Sequence, residues 1–278
     1  MKSFKLFVFS FVLIGALLQP GVAHAQGVND FVITDFDATY TLTNEDPQGL
    51  LTVTEIIEVN FSGQNQGILR AIPNTYRDNN LELRVISADR DGQIEPFITY
   101  EENGNTVIRI GEAGVFITGE HQYTINYQVE NVISFYDNFD EFYWDINGDQ
   151  WLQPFEQVTL DLQVGTTGLS DPAPQCFTGG FGSTANNCSI SPASTGIEVV
   201  TTQQLNPQET LTVVQAYEKG YFMPPSFFEQ YREYFYGLPF VVAGLWLIVI
   251  AARRWSRDGK DIYKRGVVAP YFSRPKNV

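Results

Sequence analysis

Histidine, cysteine and bases are the scarce residues in this 278-residue chain. It has two histidines, two cysteines and 17 Lys+Arg against 32 Asp+Glu, a formal net charge of −15. A generic nucleic-acid binder is excluded, because neutralising phosphates needs a surplus of Lys and Arg. One histidine, His24, sits in the N-terminal leader described below, which leaves His121. A Ser-His-Asp or Cys-His set then has a single candidate base and no supporting motif. G-x-S-x-G, H-E-x-x-H and a phosphate-binding glycine loop do not occur. His121 opens an alternating segment and reads as an ordinary strand residue, and two cysteines with one histidine do not supply a four-ligand zinc site. No window of ten or more residues beyond the leader shows helical periodicity before Phe227. Apolar residues make up 44% and charged ones 18%, so a packed core is expected and wholesale disorder is excluded.

Both ends of the chain address a membrane. Residues 1–25 read as a secretory signal: Lys2 and Lys5 precede an uncharged run from Leu6 to Leu18, and Ala23-His24-Ala25 is an A-x-A cleavage site. An uncleaved N-terminal anchor is the alternative. A second apolar run reaches Ala252 without a charge after Glu233, and Arg253, Arg254, Arg257, Lys260, Lys264 and Arg265 follow it. Its length suits a bilayer core of ~30 Å, and a transmembrane helix is expected at 237–252. From Gln26 to Glu233 there are 30 acids and 7 bases, whereas from Arg253 onward there are 8 bases and 2 acids. The positive-inside rule places residues 26–236 outside and the basic tail, 253–278, in the cytoplasm. The expected localisation is therefore a single-pass cell-membrane protein with an extracytoplasmic N-terminal region. Tyr221, Phe222, Phe227, Phe228, Tyr231, Tyr234, Phe235 and Tyr236 make 221–236 an aromatic juxtamembrane segment, with a short interfacial helix expected after Pro224-Pro225.

Alternation with a period of two recurs along residues 28–217, and the ectodomain is expected to span 26–220. Tyr123, Ile125, Tyr127 and Val129 are one face of a strand, as are Val158, Leu160, Leu162 and Val164. Val32, Phe36, Ala38, Tyr40 and Leu42 are assigned to one face of the first strand. Asp91-Gly92 and Asn103-Gly104 are hairpin turns. The fold class expected is all-β: an antiparallel, immunoglobulin-like β-sandwich followed by one transmembrane α-helix. Residues 165–196, rich in Gly, Ser, Thr and Pro, read as a long excursion or strand-switching loop. Cys176 and Cys188 lie within it, and outside a membrane two cysteines usually pair; free thiols or a redox pair are the competing readings.

The densest polar and aromatic stretch is Asp137–Trp151. Within it Asp145-x-Asn147-x-Asp149 matches the first half of a calcium loop, where alternate oxygens converge on a hard cation. It departs from the full pattern, with Gly148 early, Gln150 at the sixth place and no Glu at the twelfth. The competing reading is a tight Asn147-Gly148 turn that buries Trp144 and Trp151, with no cofactor. Glu141, Asp145 and Asp149 also raise a hydrolase reading, since glycosidases need paired carboxylates about 5–9 Å apart.

Several blocks occur in a familiar order: Val53-Thr54-Glu55, Phe61-Ser62-Gly63, Gly67-Ile68-Leu69-Arg70-Ala71-Ile72-Pro73, Ile110-Gly111, Gly119–Tyr127 and Glu141–Trp151. Together they resemble the bacterial and archaeal predicted membrane protein family called domain of unknown function 2207, over about residues 28–165 and more loosely to Tyr271. The resemblance implies a secreted β-sandwich tethered by a transmembrane helix, and it implies no activity. Longer members continue into further membrane helices, so a fragment and a short form are both open. The expected role is a membrane-anchored, non-enzymatic envelope binding, adhesion or sensing module. Its expected partners are the lipid bilayer and an envelope polymer or protein, with no nucleic acid; the alternative role is a hydrolase of envelope glycan or peptide.

Overall fold

A computed structural model of the chain describes residues 30–44, 48–77, 79–164 and 173–259. The leader at 1–25, the tail beyond Gly259 and part of the 165–196 excursion lie outside the described residues. The chain divides into two compact units, with the break between Met223 and Pro224.

The first unit is built of strands. In chain order they are β1 (Phe31–Thr43), β2 (Leu50–Asn65), β3 (Ile68–Pro73), β4 (Thr75–Tyr76), β5 (Asn79–Asn80), β6 (Glu82–Arg90), β7 (Gln93–Ile94), β8 (Phe97–Glu102) and β9 (Asn105–Ile110). They continue as β10 (Ile117–Glu130), β11 (Ile133–Phe135), β12 (Phe139–Asp145), β13 (Val158–Val164), β14 (Gln175–Gly179), β15 (Cys188–Ala193), β16 (Gly196–Thr201) and β17 (Thr210–Glu218). An eight-stranded sheet has the order β15-β16-β13-β1-β2-β10-β6-β7, and a four-stranded sheet has the order β11-β12-β17-β14. The described residues also form a three-stranded sheet, β3-β9-β8, and the small β4-β5 pair. The apolar faces of the three larger sheets meet in one core, which includes Tyr40, Ile57, Ile108, Ile125, Trp144 and Val213.

Two features depart from simple antiparallel alternation. β1 and β13 pair in parallel, Phe36 opposite Val158 through Leu42 opposite Val164, because the long connection between them returns the chain in the same direction. β1 also has a register shift between Ile33 and Asp35. This bulge changes which parity faces the core: Phe31 and Ile33 are buried before it, and Phe36, Ala38, Tyr40 and Leu42 after it. Val32 is therefore only half-buried and does not share the face of Phe36.

At that bulge the Asp35 carboxyl is raised above its ordinary value by burial, then by repulsion from Asp37 and Glu58. The raised pKa means that ionisation costs more in the fold than in the unfolded chain, so Asp35 destabilises above its unfolded pKa. Asp35→Asn is expected to raise the Tm at pH 7, and the gain should vanish below about pH 4, where the carboxyl is protonated in both states. Melting curves across that pH range check the sign; a gain independent of pH would assign it to another cause.

The turns at Asp91-Gly92 and Asn103-Gly104 close the β6-β7 and β8-β9 hairpins, all four residues having positive φ. The described part of the excursion is not a plain loop. It adds β14 to the four-stranded sheet and β15 to the eight-stranded one. Cys176 on β14 and Cys188 on β15 are joined by a disulfide, 12 residues apart in sequence, so the bridge links the two sheets. Closing a loop of this size contributes about 3 kcal/mol. The double variant Cys176→Ala/Cys188→Ala should melt roughly 6–12 °C lower. An unchanged Tm would show that the strands hold the excursion without the bridge.

The second unit holds a one-turn helix, α1 (Phe227–Gln230), and a long helix, α2 (Arg232–Asp258). Phe227 packs against Phe228, Tyr231 and Phe235, which forms an aromatic collar before the apolar stretch. At 27 residues, α2 is ~40 Å long. It extends beyond the expected 237–252 at both ends and takes Pro239 within its length. From Leu238 to Val249 its large apolar side chains are exposed around the helix, as suits lipid. Among the described residues the protein is thus mostly β-sheet with one candidate C-terminal transmembrane helix, Tyr234–Asp258.

Candidate functional site

Charged residues buried in the core hold the site together. On β2 the core parity runs Leu51, Val53, Glu55, Ile57, Val59; on β3 it runs Ile68, Arg70, Ile72. A carboxylate and a guanidinium are therefore carried inward by strands whose other residues on that face are apolar. They meet in a bidentate pair: Arg70 Nε donates to Glu55 Oε2 at 2.8 Å and Arg70 Nη2 to Oε1 at 2.7 Å. Nη2 also donates to the Ile146 carbonyl (3.0 Å), and Nη1 donates to the carbonyls of Ala71 (3.0 Å) and Asn147 (2.9 Å). All five N–H groups of Arg70 are thereby satisfied. Burial opposes its charge, but Glu55 outweighs this and holds the guanidinium protonated. Tyr127 donates to Glu55 Oε1 at 2.6 Å and Tyr40 to the Ile146 carbonyl at 3.2 Å. Burial, then the Glu55 charge, keeps both phenols above their ordinary range, so they remain donors.

This network sets the turn after β12. Asn147 is buried; its amide nitrogen donates to the Glu209 carbonyl and its side-chain oxygen accepts from the Leu211 N–H. Its carbonyl accepts from Trp151 Nε1 at 2.8 Å. Gly148, at φ +73°, has no room for a side chain, since a Cβ there would lie 2.6 Å from Arg70 Nη1. Trp144 and Trp151 are both buried. Asp145 accepts from the Thr212 hydroxyl, and Gln150 donates to Asp149. The side-chain oxygen of Asn147 is taken by the Leu211 N–H on β17, and a cation already stands at the turn, the Arg70 guanidinium on the Asn147 carbonyl. Among the described residues no group of three or more His, Cys, Asp or Glu is placed to hold a metal ion.

Above the turn lies a cleft of about 790 Å³. Its floor is the side of the four-stranded sheet that faces away from the core, where Asp145, Thr212 and Phe177 align across β12, β17 and β14. Tyr143 stands one strand repeat from Asp145 on the same face. Tyr76 and Arg77 form one wall, with the Asn103–Asn105 turn beside them; the turn at 179–184 forms the other. Arg77 adopts a left-handed backbone (φ 45°) and sets its guanidinium 4.2 Å from the Tyr143 ring centroid. It is paired with Glu141 at 3.5 Å. Burial, then the Asp145 charge, raises both Tyr76 and Tyr143, so neither phenol ionises at neutral pH. The 179–184 turn is self-supporting: the Ser183 hydroxyl donates to the Thr178 carbonyl (2.8 Å), and the Ser183 N–H donates to the Gly180 carbonyl (2.9 Å). At its tip Phe181 is fully exposed.

Of the three carboxylates singled out from sequence, Asp145 and Asp149 line the cleft and Glu141 does not. His121 is outside it as well, with Nδ1 2.6 Å from Asp91 Oδ2. Sequence reasoning missed Arg77, Phe181 and the structural role of the Glu55–Arg70 pair. Only the pair left a signal: opposite charges, each at an inward parity of an apolar strand.

Comparison with known proteins adds a family and no activity. The N-terminal domain described as predicted membrane protein (DUF2207) matches residues 32–217. An uncharacterized protein, YciQ, of Escherichia coli (strain K12) is 27% identical over 193 residues, 63% of this chain and 30% of that protein. The chain thus spans less than a third of that relative's length. An M1 zinc metallopeptidase from Deinococcus radiodurans shares 10% identity at a TM-score of 0.40, over 66% of this chain and 42% of that one. Leukotriene A4 hydrolase from Saccharomyces cerevisiae shares 9% at 0.41, over 68% and 30%. Likenesses at these TM-scores carry no argument for this chain.

Proposed function

We propose a function from the premise that this chain belongs to the DUF2207 family of predicted membrane proteins: it is a membrane-anchored, extracytoplasmic binding module without catalytic chemistry, and its ligand sits in the cleft above β12. The observation that carries this is the cleft itself, a polar and aromatic hollow built on a sheet face that a purely structural sheet would leave flat. A rigid floor with side walls made of turns is how β folds present binding groups. The charge split around the apolar run supports an outer position for the cleft and a cytoplasmic tail. Asp145 and Asp149 line the cleft, but Glu141 is engaged by Arg77 outside it, Asp145 is bonded by Thr212 and Asp149 by Gln150, which weighs against the hydrolase reading.

The test takes the full chain in lipid nanodiscs and an envelope extract. The wild type should retain a component that the variant Thr75→Trp/Thr184→Trp does not, because both positions are exposed and line the cleft. Retention of nothing, or equal retention by the filled variant, defeats the reading. Protease digestion of intact cells tests the orientation: the first unit should be cleaved and a tag after Val278 protected.

A further inference from the structure

We propose that the cleft takes a neutral, hydroxyl-rich saccharide chain, with Phe181 covering the C–H face of one sugar and Asp149, Gln150 and Arg77 bonding its hydroxyls. This rests on the cleft being the binding site and adds the chemistry of its ligand. Three features point the same way. A sugar has an apolar C–H face and a ring of groups that both donate and accept. Phe181 offers an uncovered ring at the rim (110% relative exposure), while Asp149 and Gln150 at the near end are exposed acceptor and donor. The lining is rich in hydroxyl and amide side chains, among them Thr75, Asn103, Gln150 and Thr184, which suits hydroxyls and not an acyl chain.

Charge and backbone exclude the competing ligands. A polyanion would meet Asp145 and Asp149 in the cleft and a surrounding region of 30 acids and 7 bases between Gln26 and Glu233. Arg70 is consumed by its five acceptors, and Arg77 is shared with Glu141. An extended peptide gains its affinity by hydrogen bonding to a free strand edge. Here the floor is a sheet face, and the neighbouring edge of β14 is occupied where Thr178 N–H donates to the Ala185 carbonyl at 2.7 Å. Arg77, held over Tyr143 from a left-handed backbone, keeps its planar donors at a set angle to the cleft.

Calorimetric titration of the full chain in nanodiscs decides it, with four probes: a glucose hexasaccharide, an N-acetylglucosamine hexasaccharide, a uronic acid hexasaccharide and an uncharged hexapeptide. At least one neutral hexasaccharide should bind, with the uronic acid and the peptide weaker or silent. Phe181→Ala should weaken binding about fivefold, and Phe181→Tyr should retain it. Asp149→Ala should weaken it about tenfold. Both residues are exposed, so the variants should melt as the wild type does. Preference for the uronic acid or the peptide overturns the proposal, as does neutral-sugar binding unmoved by either alanine variant. Silence from both neutral probes also overturns it. If the envelope extract still supplies a cleft-dependent partner, the binding role stands and only the saccharide assignment falls.

Discussion

Arg70→Met is expected to be the most damaging single substitution in the first unit. It leaves the Glu55 carboxylate, with no exposed surface, facing Tyr127 and Tyr40 and no cation. Removing one partner of a buried pair costs about 3–5 kcal/mol, a fall of roughly 6–20 °C in Tm for a unit this size. The Ala71, Ile146 and Asn147 carbonyls lose their donors at the same time, so the turn that carries Gly148 and Asp149 loosens and ligand retention should fall with stability. The double variant Glu55→Gln/Arg70→Met should recover much of the loss: it removes the uncompensated charge and keeps an acceptor for Tyr127. Thermal melts of the full chain in detergent check both. A single variant within about 0.5 kcal/mol of the wild type, or a double variant worse than the single, would show that the pair does not hold the core as described.

Two cations in the middle of α2 should abolish membrane anchoring. Leu245 and Ile248 are exposed apolar residues near the centre of the apolar stretch. Each arginine there costs about 2.5–3.5 kcal/mol of insertion free energy. Leu245→Arg/Ile248→Arg should therefore move the protein from the carbonate-resistant membrane fraction to the soluble or degraded fraction. Leu245→Ile/Ile248→Leu should leave it in place. Membrane retention of the arginine variant would mean that α2 does not cross as a lone helix. Arg253, Arg254 and Arg257 lie within the last turns of α2, so the change from apolar to basic occurs along one continuous element.

The amino-acid order by itself determined where apolar surface must go. Period-two alternation marked β10 and β13, paired positive-φ residues marked the two hairpin turns, and an uncharged run backed by cations marked the apolar helix. Each is a local signal, readable within a dozen residues. Tertiary structure alone decided the rest. The parallel β1–β13 pairing depends on a connection of more than a hundred residues, and the β1 bulge that excludes Val32 from the core face depends on its register with β2. Asn147 looked like a cation ligand in sequence because its oxygen is spaced for one. In the fold that oxygen belongs to Leu211 on β17, and the positive charge comes from Arg70, 77 residues earlier. The cleft was illegible for the same reason: Arg77, Asp145, Asp149 and Phe181 come from separate segments, and nothing local to any one of them says that the others lie across from it.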